Sequence, residues 1–216
     1  MATHQESRNR HHAVTNAKGA RLKQERALQT QQAVLESAAA VFAAKGFPGV
    51  TILDVAEHAG LTKGAVYFHF ANKEALAEAV VQEFYRRLPL IFEPALKLGL
   101  PPLRTVVEAL QRTADAFRDD RVIQAGARLQ IERAYIGTTL PTPYADFEAL
   151  LTGLLTQADE AGELRPGLSP EGYARILISA FFGAQHISWV QSDRQDLKER
   201  VGEIVDAVLP GHSPAD

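Results

Sequence analysis

The chain has 216 residues, 46% of them hydrophobic, no cysteine, and a net charge of −3. Without cysteine neither a disulfide framework nor a thiolate metal site is possible. No apolar run reaches ~18 residues and the N-terminus lacks the apolar stretch of a secretory leader, so a cytoplasmic protein with no membrane span is expected. Charge divides unevenly: residues 1–73 hold nine Lys/Arg against five Asp/Glu, and the remainder fourteen against twenty-one. A basic head on an acidic body fits one region on phosphates and another with a different task.

Residues 1–23 carry no helical period and read as a disordered basic arm. Arg21 and Arg26 lie where such an arm meets the first helix, within reach of phosphates or a minor groove. Two adjacent histidines, His11 and His12, sit in this tail and read as solvent-facing rather than metal-binding. Helix one is expected over about 24–45, with Val34, Ala38, Val41 and Phe42 inward and Gly46 ending it.

Residues 51–73, TILDVAEHAGLTKGAVYFHFANK, form a helix-turn-helix pattern. Thr51, also a candidate DNA contact, caps a helix whose apolar stripe is Ile52, Val55, Ala56 and Ala59. Gly60 permits the left-handed backbone that ends it, and Leu61 plugs the angle. Thr62 caps a second helix, Lys63 to Phe68, which would enter the DNA major groove. Gly64 and Ala65 are small enough for close approach. Thr62 and Lys63 sit at its start, where a phosphate is favoured. Tyr67 and His69 offer polar tips, Ala65 and Val66 are candidates for thymine methyls, and Lys63 for a guanine.

Asn72 caps a fourth helix, with Pro89 and Pro94 expected to break or kink it. Further helices are expected over 102–118, about 121–136, 144–161, 170–190 and about 196–209, with no strand pattern. The fold class is therefore all-α: a helix-turn-helix head at 24–71, a larger helical domain at 72–210, and a flexible tail at 211–216. Broad apolar bands on the last two helices suit a dimer, which a helix-turn-helix needs to place two recognition helices roughly 34–36 Å apart. No nucleophile–base pair, HExxH, phosphate loop or carboxylate dyad points to an enzyme, and nothing calls for a cofactor.

The block T-x-x-D-V-A-x-x-A-G-L-T-K-G-A-V-Y-F-H-F-x-x-K-E-x-L, with AAAVFAAKGF before it, resembles the DNA-binding domain of the tetracycline-repressor (TetR) family. The stretches GARLQIERA, LPTPYADF and SAFFGAQHIS resemble its narrower branch of receptors for γ-butyrolactone-type hormones, and most closely the furan-hormone type of methylenomycin biosynthesis. That resemblance implies a homodimeric repressor on double-stranded operator DNA, released by a small diffusible hormone and controlling antibiotic biosynthesis. It places Lys73, at the start of the connecting helix, against DNA. It implies a ring site at Tyr85, Gln130 and Tyr144, with Phe147 as an aromatic wall where many butyrolactone receptors carry Trp. Leu110, Phe117, Phe181, Phe182 and Trp189 would line an alkyl tunnel, with Gln185 beside it. The headgroup stays open between a butyrolactone, a butenolide and an alkyl-furan carboxylic acid. A repressor of drug efflux, or a pseudo-receptor answering to antibiotics, is the rival.

Overall fold

The computed structural model describes residues 3–209 apart from Pro143, with side chains described from Arg21 onward except Leu22. Among the described residues there are nine α-helices and no strand: α1 Thr3–Lys45, α2 Ile52–His58, α3 Lys63–His69, α4 Lys73–Leu96, α5 Pro102–Asp119, α6 Arg121–Ile131, α7 Ala145–Glu160, α8 Pro170–Ser192 and α9 Leu197–Val208. A single 3-10 turn, Arg133–Tyr135, follows α6. No helix among the described residues is long and apolar enough to cross a membrane.

Two departures from the sequence expectation have a common cause. The arm expected to be disordered up to residue 23 is instead the start of α1, which begins at Thr3. It contains no proline and one glycine, so nothing in it stops a helix propagating upstream from the packed part. Likewise α4 runs unbroken through Pro89 and Pro94. Each proline forfeits one N–H and leaves the carbonyl four residues earlier without its helical donor. Packing of α4 against α1, α5 and α6 holds the helix together across that loss. The tail expected at 211–216 lies outside the described residues.

The head is built as its spacing dictates. Thr51 and Asp54 form a capping box at the start of α2: the Asp54 N–H donates to Thr51 Oγ1 and the Thr51 N–H to Asp54 Oδ2. Gly60 takes φ +66° in the turn, and Thr62 Oγ1 accepts from the Ala65 N–H at 3.2 Å to cap α3. Val66 and Phe70 are buried in the hydrophobic core, and α3 packs on α2 and α1, so it is pinned from one side.

The head is joined to the body by side chains from α6. Arg128 Nη1 donates to the carbonyls of Ala43 and Ala44 at 3.0 and 3.1 Å, groups that the end of α1 leaves unpaired. Glu132 accepts from the Phe47 N–H at 2.5 Å and from Arg128 Nε at 2.9 Å. Gly46, at φ +74°, sits directly under this clasp: a Cβ there would lie 2.5 Å from Glu132 Oε1. On the other flank, Arg87 of α4 bonds Glu83, Glu36 of α1 and Asp120, the N-cap of α6. Burial opposes the charge of Arg87, but its three carboxylate partners outweigh that and raise its pKa above the ordinary value.

Candidate DNA-binding face and ligand cavity

The outer face of α3 is formed by Lys63, Gly64, Tyr67 and Phe68, all exposed, with Ala65 and His69 half-buried at its edges. Space beside Gly64 is open: a Cβ there would meet only Thr62 Oγ1, at 3.9 Å. Lys63 Nζ lies 5.7 Å from the Tyr67 ring centroid. Val66, a candidate base contact from sequence, points the other way and is 0% exposed. Phe68, assigned no contact from the sequence, is 80% exposed. No periodicity signal in a seven-residue helix separates an inward Val from an outward Phe.

Other expected contact residues hold different posts. Arg21 and Arg26 are exposed on α1, Arg21 with a 3.0 Å ion pair to Glu25. The Thr51 hydroxyl is spent inside its capping box, donating to Asp54. Lys73 turns inward: its Nζ donates to the Phe47 carbonyl at 3.0 Å and lies 4.2 Å from the Phe47 ring centroid. Held by a carbonyl and a ring, this ammonium ties the first turn of α4 to the segment that follows α1.

In the body, the structure brings Tyr85, Gln130 and Tyr144 together. They share a small inner cavity of about 20 Å³ with Phe84, Thr113, Phe117, Phe147 and Phe182. An outer apolar groove of about 230 Å³ adjoins it, lined by Tyr85, Pro89, Phe92, Leu96, Phe147 and Leu150 among others. The inner space is water-sized, so a ring-sized ligand must open it. The aromatic wall is continuous: Phe92 stacks on Phe147 at 5.2 Å, and Phe117 meets Phe182 edge-on at 5.9 Å.

The polar corner has a defined direction. Arg133, absent from the sequence expectation, donates to Gln130 Oε1 at 3.4 Å and to the Leu140 carbonyl at 3.0 Å. With its oxygen held by a guanidinium, Gln130 turns its Nε2 toward Tyr85 and donates to the hydroxyl at 3.0 Å. Tyr85 in turn donates to the Thr142 carbonyl at 3.3 Å. Burial raises the pKa of both Tyr85 and Tyr144, so both are neutral phenols at physiological pH. The second Nε2–H of Gln130 and the Tyr144 hydroxyl are therefore donors available to a ligand carbonyl or carboxylate. Tyr144 adopts φ +68° at the start of α7, with its ring 4.4 Å from Phe182. A left-handed tyrosine costs about 1–3 kcal/mol, and such strain collects at ligand clamps.

Four expected wall residues do not line either space. Leu110 and Phe181 are fully buried in the hydrophobic core. Gln185 is buried and accepts from Arg194 Nε at 3.2 Å. Trp189 lies between two guanidiniums, 4.9 Å from Arg128 and 5.0 Å from Arg194. Desolvation lowers the pKa of Arg194 to about 10, and the Trp189 face repays part of that cost as a cation–π contact. His186 is exposed and meets Trp189 edge-on at 5.8 Å.

Residues 34–80 match the family described as "Bacterial regulatory proteins, tetR family". The A-factor receptor protein of Streptomyces griseus is 35% identical over 188 residues, covering 87% of this chain; the chain spans only 65% of that relative's length. A solved structure described as the molecular basis for control of antibiotic production by bacterial hormones is 50% identical, covers 83% of this chain and 95% of its own, and superposes with a TM-score of 0.76. TylP, a TetR regulator from Streptomyces fradiae, is 32% identical with a TM-score of 0.65, over 85% of this chain and 86% of its own.

Proposed function

The chain belongs to the TetR family of bacterial regulatory proteins, and from that premise we propose that it is a hormone-released transcriptional repressor. It binds operator DNA as a homodimer in the cytoplasm and controls antibiotic biosynthesis. A small diffusible hormone with a polar ring and an apolar chain occupies the body and releases the DNA. The observation that carries this reading is the donor-lined corner at Tyr85, Gln130 and Tyr144 opening onto an apolar groove. Such a pairing suits a carbonyl- or carboxylate-bearing ring with an alkyl tail. The tail follows the open space between α4 and α7, past Leu96 and Leu150. Within the branch, we propose the furan-hormone type represented in methylenomycin biosynthesis, because Phe147 supplies a smaller wall than Trp.

Release follows from differential affinity. A ring that wedges into the closed inner cavity displaces Tyr85 on α4 and Gln130 on α6. Both helices hold the end of α1, through Lys73 and through the Arg128–Glu132 clasp. Shifting them alters the spacing of two recognition helices in the dimer. The dimer face is the outer stripe Ile176, Ala180, Gly183, Ile187 and Val190, spaced four and three residues apart on α8. Val190 is 69% exposed and Ile187 46%, far more than a core-facing stripe would be.

A gel shift on the DNA upstream of the protein's own gene tests the reading, with butyrolactones, butenolides and alkyl-furan carboxylic acids added in turn. Release by one class supports a hormone receptor and names the headgroup. Binding that none of them releases, but antibiotics do, replaces it with the pseudo-receptor or efflux-repressor reading.

A further inference from the structure

We propose that Phe68 reads a thymine methyl group in the operator major groove, a role that rests on the DNA-binding reading above. Phe68 is the most exposed large apolar side chain among the described residues, at 80%. It follows Gly64 by four residues and Ala65 by three, so the three share one face of α3. Val66 and Phe70 fix the opposite face in the core, which sets the direction of the Phe68 ring. The face thus has a low step, Gly64 and Ala65, followed one turn later by a protruding ring. The low step lets the helix backbone approach the base edges, and the ring then projects into the groove rather than along its rim. His69 meets the ring edge-on at 5.1 Å and limits its freedom before DNA arrives.

The chemistry of the groove selects the target. Phenylalanine has neither donor nor acceptor, so it cannot read the polar pattern of G, C or A. The one apolar feature that distinguishes a base pair in the major groove is the C5-methyl of thymine. Lys63 and Tyr67, flanking the same face, supply the polar contacts, leaving Phe68 to report shape and methyl content. Val66, the sequence-level candidate for this task, is excluded by its burial.

The test replaces each thymine of the operator half-site by uracil, one at a time, which removes only the C5-methyl and preserves pairing. Binding is measured for the wild type, Phe68→Ala and Phe68→Leu. One position per half-site is expected to cost the wild type about fourfold in affinity, the worth of one buried methyl group. Phe68→Ala binds the all-thymine operator more weakly and is indifferent to uracil at that position, with Phe68→Leu between. Phe68 packs against no core residue, so an unchanged melting curve for both variants verifies that folding is intact. If the same uracil weakens wild type and Phe68→Ala equally, or if Phe68→Ala binds as the wild type does, the proposal is overturned. If the wild type binds no upstream DNA, the repressor reading falls first and this inference falls with it.

Discussion

A methyl group at position 126 would sit 2.3 Å from the Phe84 side chain. Gly126 is therefore the point where α6 lies directly against α4, beside the inner cavity. Gly126→Ala overpacks it and is expected to cost about 2 kcal/mol, seen as a fall in Tm of roughly 4–8 °C. An unchanged Tm would mean that α4 and α6 are further apart. The Asp54 carboxyl is held well below the usual carboxylate range, first by the Lys45 ammonium and then by Thr51. Its folded pKa is depressed, so its contribution to stability is complete above the unfolded value of about 3.9 and lost as pH falls through the acid range. Asp54→Asn should accordingly flatten the acid limb of a Tm-against-pH curve while leaving its neutral limb parallel to the wild type. At this scale the sequence was most legible where function is local. Thr51, Gly60 and Thr62 announce their caps and turn within four residues of chain. Phe68 and Val66 were not separable, because a helix of seven residues is too short for its apolar positions to show which of them faces the core.

Among the elements, α6 is the one that touches everything the mechanism needs. It carries Gln130 at the cavity, Arg128 and Glu132 at the end of α1, and Arg128 again on the face of Trp189. Trp189 is the chain's one tryptophan, so its emission reports the environment of Arg128. Hormone binding should shift that emission in the wild type, and Arg128→Ala should abolish the shift while weakening operator binding several-fold. A shift of equal size in both proteins would place the coupling outside the clasp. None of this was visible in the sequence. The family resemblance implied a tunnel wall at Trp189, whereas the α8–α9 turn brings Arg194 to 5.0 Å from its ring centroid. The unbroken α4 was hidden for a similar reason: Pro89 and Pro94 read locally as breaks, and only packing on three neighbouring helices overrides them.

For the whole molecule, the exposed face of α3 and the cavity between α4, α6 and α7 belong to different parts of the chain. The start of α4 at Lys73 was legible because Asn72 caps it, its Oδ1 accepting from the Ala75 N–H. Assembly follows from the outer stripe of α8. Ile187→Glu is expected to yield a monomer by light scattering that retains its helix content and loses operator binding; a dimer that survives this change would move the interface elsewhere. The central claim is that a ligand in the Tyr85–Gln130 corner sets operator affinity. Its most direct test is a titration of the operator complex with the releasing hormone, for the wild type and Tyr144→Phe, which removes the free donor of that corner, in parallel. The account predicts equal operator affinity without hormone and about tenfold more hormone needed to release the variant, the cost of one buried hydrogen bond. Superimposable release curves would contradict it.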